Sequence, residues 1–75
     1  LPTDMPDYTL SGPTNIVDII HGAGMTRSKS EARRLVQQGA VKLDGEPVTD
    51  IEAQVEGEKV LQVGKRRFLR LRFRS

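Results

Sequence analysis

The sequence predicts an α+β domain: a helical hairpin packed on a small, mostly antiparallel twisted sheet, with a flexible N-terminal tail. Three observations predict it. Apolar residues recur at helical spacing in two short stretches, and each stretch is closed by glycine. Short alternating stretches joined by Asp-Gly and Gly-Lys turns follow them. Residues 1–13 are broken by Pro2, Pro6, Gly12 and Pro13 and carry neither periodicity, so little fixed structure is expected there. The division is therefore a linker over 1–13 and one domain over 14–75. Tyr8 and Leu10 are the linker residues able to dock on the domain, a question their pattern leaves open.

The first helix starts after Thr14 or Asn15, either of which can accept a hydrogen bond from a free N–H of the first turn. Ile16, Ile19, Ile20 and Ala23 share its apolar face, Val17 widens that face, and Gly22 and Gly24 end the helix. The second helix opens on Ser28, with Glu31 three residues later completing a capping box. Ala32, Leu35 and Val36 form its buried stripe and Gly39 stops it. Lys29, Arg33 and Gln37 fall on one flank, and Ser30, Arg34 and Gln38 on the neighbouring one.

Strands are expected over 40–43 and 46–48, around the Asp44-Gly45 turn, with Pro47 arguing for an edge. Residues 49–57 read as an acidic loop with little regular structure. Two longer strands, 59–63 and 66–73, flank a turn at Gly64-Lys65. From Leu69 onward Leu69, Leu71 and Phe73 point one way and Arg70, Arg72 and Arg74 the other. The expected core is Ile16, Ile19, Ile20, Leu35, Val36, Val41, Leu61, Val63, Leu69 and Leu71, joined by Phe68 and Phe73.

Charge is sorted into blocks. Residues 1–26 hold three acids and no Lys or Arg, and residues 27–43 hold five bases against Glu31. Residues 44–58 hold six acids and no base, and residues 59–75 hold seven bases and no acid. If the two basic blocks fold together they make one strongly positive surface, the electrostatic footprint of a phosphate-backbone binder. The acidic block is expected on the face turned away from such a ligand.

Seventy-five residues make one small domain with a limited core. There is no cysteine, so neither a disulfide nor a thiolate metal site can reinforce it, and the lone His21 cannot assemble a metal site by itself. No apolar run approaches the roughly 20 residues that span a bilayer, so no membrane partner is expected. There is no glycine-rich phosphate loop, paired catalytic carboxylates or nucleophile-and-base arrangement, so no catalysis and no cofactor are expected of this segment. The start at Leu1 is that expected of a segment of a longer protein.

The run from Gly24 to Val48, with Ser28-x-x-Glu31-Ala32-Arg33-Arg34-Leu35, Gly39-x-Val41 and Asp44-Gly45 in register, resembles the RNA-binding module named after the fourth small-subunit ribosomal protein. The likeness runs from Ile16 to about Val63. The continuation Leu61-Gln62-Val63-Gly64-Lys65-Arg66-Arg67-Phe68-Leu69-Arg70-Leu71 is similar to the C-terminal domain of bacterial-type tyrosyl-tRNA synthetases, and the Pro-rich start to the linker that joins that domain to the enzyme body. The resemblance implies a noncatalytic RNA binder that holds tRNA near its anticodon stem and long variable arm, while the parent activates tyrosine with ATP. It further implies a monomeric segment, a homodimeric parent, and a bacterial cytoplasmic or organellar setting. The RNA-binding candidates are Arg27, Lys29, Arg33, Arg34, Lys42, Lys65, Arg66 and Arg67. For Arg33 and Arg34 the competing roles are a solvated face or an ion pair with the 44–58 acids. Two rival functions stay open: the same module in a ribosomal or rRNA-modification protein, and a protein-interaction domain that turns its basic face to an acidic partner.

Overall fold

A computed structural model describes residues 5–74. Seven strands and two helices follow in the order β1 (Asp7–Leu10), β2 (Thr14–Asn15), α1 (Ile16–Gly22), α2 (Lys29–Gln37), β3 (Val41–Leu43), β4 (Glu46–Pro47), β5 (Gln54–Val55), β6 (Lys59–Val63) and β7 (Arg67–Phe73). Five strands form one sheet in the order β1-β7-β6-β3-β4, antiparallel throughout except for the parallel β1–β7 pair. The α+β architecture is thus the expected one.

Both helices end alike, and the sequence says why. In α1 the Gly24 N–H donates to His21 O and Met25 N–H to Ile20 O. In α2 the Gly39 N–H donates to Val36 O and Ala40 N–H to Leu35 O. This paired arrangement satisfies the last carbonyls and needs a left-handed residue, supplied by Gly24 at φ 78° and Gly39 at φ 76°. At the starts, Asn15 Oδ1 accepts from Val17 N–H at 2.8 Å, and Ser28 Oγ accepts from Glu31 N–H at 3.2 Å, one half of the capping box. Replacing Ser28 by Ala leaves that donor to water and should cost about 1 kcal/mol, seen as a melting temperature lower by about 4–8 °C. A thermal melt followed by circular dichroism measures it.

The core is one cluster between the helices and one face of the sheet. Ile16, Val17, Ile19 and Ile20 of α1 and Ala32 and Val36 of α2 meet Val41, Leu61, Val63, Leu69 and Leu71. All eleven are buried, which places both helices on the same side of the sheet. Leu35 is only half-buried, packed at the rim of this cluster.

Three expectations need correction. The linker assigned to 1–13 contains β1, whose Tyr8 and Leu10 sit opposite Leu71 and Phe73, with Leu10 buried at 2 % exposure. Pro6 precedes this strand and offers its carbonyl to Arg70 N–H at 2.8 Å, so the proline costs no ladder bond there. Residues 1–4 of that segment lie outside the described residues. The acidic loop is the second case. Its Gln54–Val55 pairs with β2, Ala53 O accepts from Ile16 N–H, and Ile51 O accepts from the Asn15 side-chain amide. The loop is thereby stitched to the start of α1, with Val55 buried. Third, Phe68 and Phe73 are not core residues. Phe68 has the opposite strand parity to Leu69 and Leu71, and Phe73, paired with Leu10 on β1 but with no β6 residue on its other side, is 37 % exposed.

Candidate nucleic-acid interface

The tip of the β6–β7 hairpin is fastened to the segments on either side of α2. The Arg67 guanidinium donates through Nη1 to Met25 O at 2.6 Å, just ahead of α2. Gly64 N–H donates to Ala40 O at 2.8 Å, just behind it. Strand register accounts for the first contact. Arg67 pairs with Val63 and shares its side of the sheet, the side carrying the helices. The two basic blocks, remote in sequence, therefore meet: Arg27 follows Met25 by two residues, and Lys65 and Arg66 sit in the turn between Val63 and Arg67. Arg27, Lys65, Arg66 and Arg67 are all exposed.

On α2 the two arginines differ. Arg34 lies two residues from both Ala32 and Val36, hence about 200° around the helix from each, and faces outward. Arg33 lies on the flank toward α1, where it lines a hollow with Asn15, Asp18, Lys29 and Glu52. Lys29 Nζ lies 3.0 Å from Asp18 Oδ1, both side chains about half exposed. An ion pair so exposed adds little to stability, but it lowers the positive potential on that flank.

Lys42 is not part of this surface. It pairs with Gln62, which pairs with Phe68, and this row alternates with the buried rows on either side. Lys42 therefore stands on the sheet face away from the helices, together with Arg70 and Arg72. The acids of residues 44–58 are not gathered on one far face either, since Glu52 lines the hollow beside Lys29 and Arg33. Asp7 Oδ2 is 3.7 Å from Arg72 Nε, and Asp44 Oδ2 is 3.9 Å from Lys59 Nζ. Asp44 also anchors the sheet, its Oδ1 accepting from Val60 N–H at 2.9 Å. The sharp sorting of charge along the chain is softened when strands from different blocks become neighbours.

Sequence reasoning passed over the outer-face residues Val60 and Gln62 and put Phe68 in the core. The signal was present: Phe68 precedes the strict alternation that begins at Leu69, so it takes the same side as Arg70. Among the described residues no cluster of three or more His, Cys, Asp or Glu is placed to hold a metal ion, and no helix is long and apolar enough to cross a membrane.

Comparison with known proteins gives this geometry a family. Residues 1–71 match the tyrosine–tRNA ligase SYY-like C-terminal domain. The tyrosine–tRNA ligase of Thermotoga maritima is 51 % identical over 73 residues, covering 95 % of this chain and 18 % of that protein. The tyrosine–tRNA ligase of Syntrophotalea carbinolica is 47 % identical over 77 residues, covering 97 % of this chain and 19 % of that protein. The chain thus spans about a fifth of the length of these relatives. Among solved structures, the 30S ribosomal protein S4e of Thermoplasma acidophilum shares the fold, with a TM-score of 0.60 and 24 % identity over 72 % of this chain and 29 % of that one. With a match over 71 of its residues, the chain belongs to the family of tyrosine–tRNA ligase C-terminal domains.

Proposed function

We propose that this domain binds structured RNA, and that its ligand is tyrosine tRNA, held near the anticodon stem and long variable arm as the C-terminal part of a tyrosine–tRNA ligase. The observation that carries the reading is the fastening of the Lys65–Arg67 tip to Met25 and Ala40, which joins the two basic blocks beside α2. Helical RNA hides its base edges in a deep, narrow groove, so a protein that holds it works through phosphates, 2′-hydroxyls and shape. Exposed guanidinium and ammonium groups on a rigid helix and hairpin suit that task. In this reading the domain adds contacts and no chemistry. Activation of tyrosine with ATP belongs to the rest of a homodimeric parent, working in the cytoplasm as its bacterial relatives suggest, and the domain alone is monomeric.

The test separates Arg33 from Arg34. Replacing Arg34 by Ala should weaken tRNA binding about 10-fold and reduce the salt slope by about 1, as removal of one phosphate contact does. Replacing Arg33 should do less, because it shares its hollow with Asp18 and Glu52. Helix content should hold, since Ala is the better helix former. In the full-length ligase, the double change should impair tRNA charging and leave pyrophosphate exchange with tyrosine and ATP intact, because activation needs no tRNA. Loss of both activities together, or unchanged charging by a folded protein, would exclude these arginines as the contact.

A further inference from the structure

The sheet has a second face, opposite the helices, which the reading above does not use. Across it Lys42, Gln62 and Phe68 stand in one row, and Val60 and Arg70 in the next. Phe68 and Val60 are half-buried, although no helix covers them. Asp44, Gly45, Val60, Gln62 and Phe68 line a hollow of about 370 Å³. Among the described residues neither Lys42 nor Arg70 has an acid within ion-pair distance. A partly exposed aromatic ring in a hollow, with two unpaired cations on the same face of the sheet, complements a base joined to phosphates: the ring offers a stacking surface and the cations track the backbone.

We propose that this outer face binds an unpaired nucleotide segment, with one base stacked on Phe68 and its flanking phosphates on Lys42 and Arg70. The polar wall of the hollow sets a preference. Asp44 presents a carboxylate whose Oδ1 also accepts from Val60 N–H, and Gln62 commits one of its two amide N–H groups to Gly64 O at 3.0 Å, leaving its carbonyl oxygen able to accept. Both offer acceptors, so a base with an exocyclic amine (adenine, cytosine or guanine) is favoured over uracil. The domain then has two RNA surfaces of different kinds: a helix side for duplex and a sheet side for single strand.

The experiment titrates the isotope-labelled 75-residue chain with tetraadenylate, tetrauridylate and an abasic sugar–phosphate tetramer, followed by amide NMR shifts. Tetraadenylate should bind most tightly and move the amides of Lys42, Val60, Gln62, Phe68 and Arg70. Replacing Phe68 by Leu should weaken it about 5-fold or more, the effect expected on losing one stacked base, while Phe68→Tyr keeps the affinity. Melting curves of both variants check the fold. Equal binding of the abasic tetramer, shifts confined to residues 27–37, or an unchanged affinity of a folded Phe68→Leu variant would each overturn the proposal. Equal binding of tetrauridylate would overturn the base preference. In the full-length ligase, protection of amides 60–70 from hydrogen exchange without any nucleotide would make this face a contact with the rest of that protein instead. None of these results bears on folded tRNA held through Arg34, so the two RNA readings stand or fall separately.

Discussion

Raising salt from 50 to 200 mM should weaken tRNA binding by about 130-fold to 500-fold. The figure follows from the geometry. Of the eight cations singled out in the sequence, Lys29 is paired with Asp18, Lys42 is on the other face of the sheet, and Arg67 commits one arm to Met25 O. Arg27, Arg33, Arg34, Lys65 and Arg66 remain. Each phosphate neutralised releases condensed counterions and contributes about 0.7 to 0.9 to the slope of log affinity against log salt. Five such contacts give a slope of about −3.5 to −4.5, and a fourfold rise in salt then yields the stated loss. Filter binding or anisotropy across a salt series measures it. An affinity flat over that range would mean that the cations are spectators, and that binding, if present, is apolar or shape-driven. A protein ligand with an acidic face would also respond to salt, so the same series with an acidic protein separates that rival.

The helical half of the molecule was legible in the sequence because its signals are local. Ser28 and Glu31, the stripe of Ala32, Leu35 and Val36, and the stops at Gly24 and Gly39 each act within one or two turns and are found where the pattern puts them, except that Leu35 lies at the rim of the core and Gly22, expected as a stop, is the last residue inside α1. The Asp44-Gly45 turn was equally legible, both residues having positive φ as a tight hairpin requires. What was not legible depended on partners far away in the chain. Asp7–Leu10 becomes a strand because β7 offers it a free edge, and nothing within residues 5–13 signals that edge. The pairing of Gln54–Val55 with Thr14–Asn15 was faintly written in the alternation of Ile51, Ala53 and Val55, but it was masked by the density of acids around them.

The candidate site was legible to a similar extent and for the same reason. Composition identifies a basic surface, and helix geometry separates Arg33 from Arg34. Strand register shows that Arg67 joins the helix side while Lys42 and Phe68 face the other way, and for Phe68 the alternation from Leu69 carried that signal in advance. The strict alternation from Leu69 already sets Arg70, Arg72 and Arg74 opposite the core residues, but a one-residue difference in where the alternation starts exchanges the two faces, so Arg67, which precedes it, is placed only by its pairing with Val63.

The last strand gives the sharpest contrast in stability, because its alternating residues look equivalent in sequence and are not. Leu71 is fully buried, flanked by Tyr8 on β1 and Lys59 on β6. Phe73 has Leu10 beside it on β1, but β6 begins at Lys59, opposite Leu71, so nothing in the ladder flanks Phe73 on that side. Truncating Leu71 to Ala removes contacts on every side and leaves a cavity that a rigid sheet cannot close, at a cost of about 2–5 kcal/mol. A domain of this size has a total stability of only about 4–11 kcal/mol. The variant should therefore melt about 10–30 °C lower or fail to fold at 37 °C. Truncating Phe73, which keeps over a third of its surface in water, should cost only about 1 kcal/mol despite its larger ring. Thermal and urea melts of the two variants side by side measure the difference. Equal destabilisation would mean that Phe73 is covered in solution, and that the edge formed by β1 and the end of β7 is more enclosed than the strand register shows.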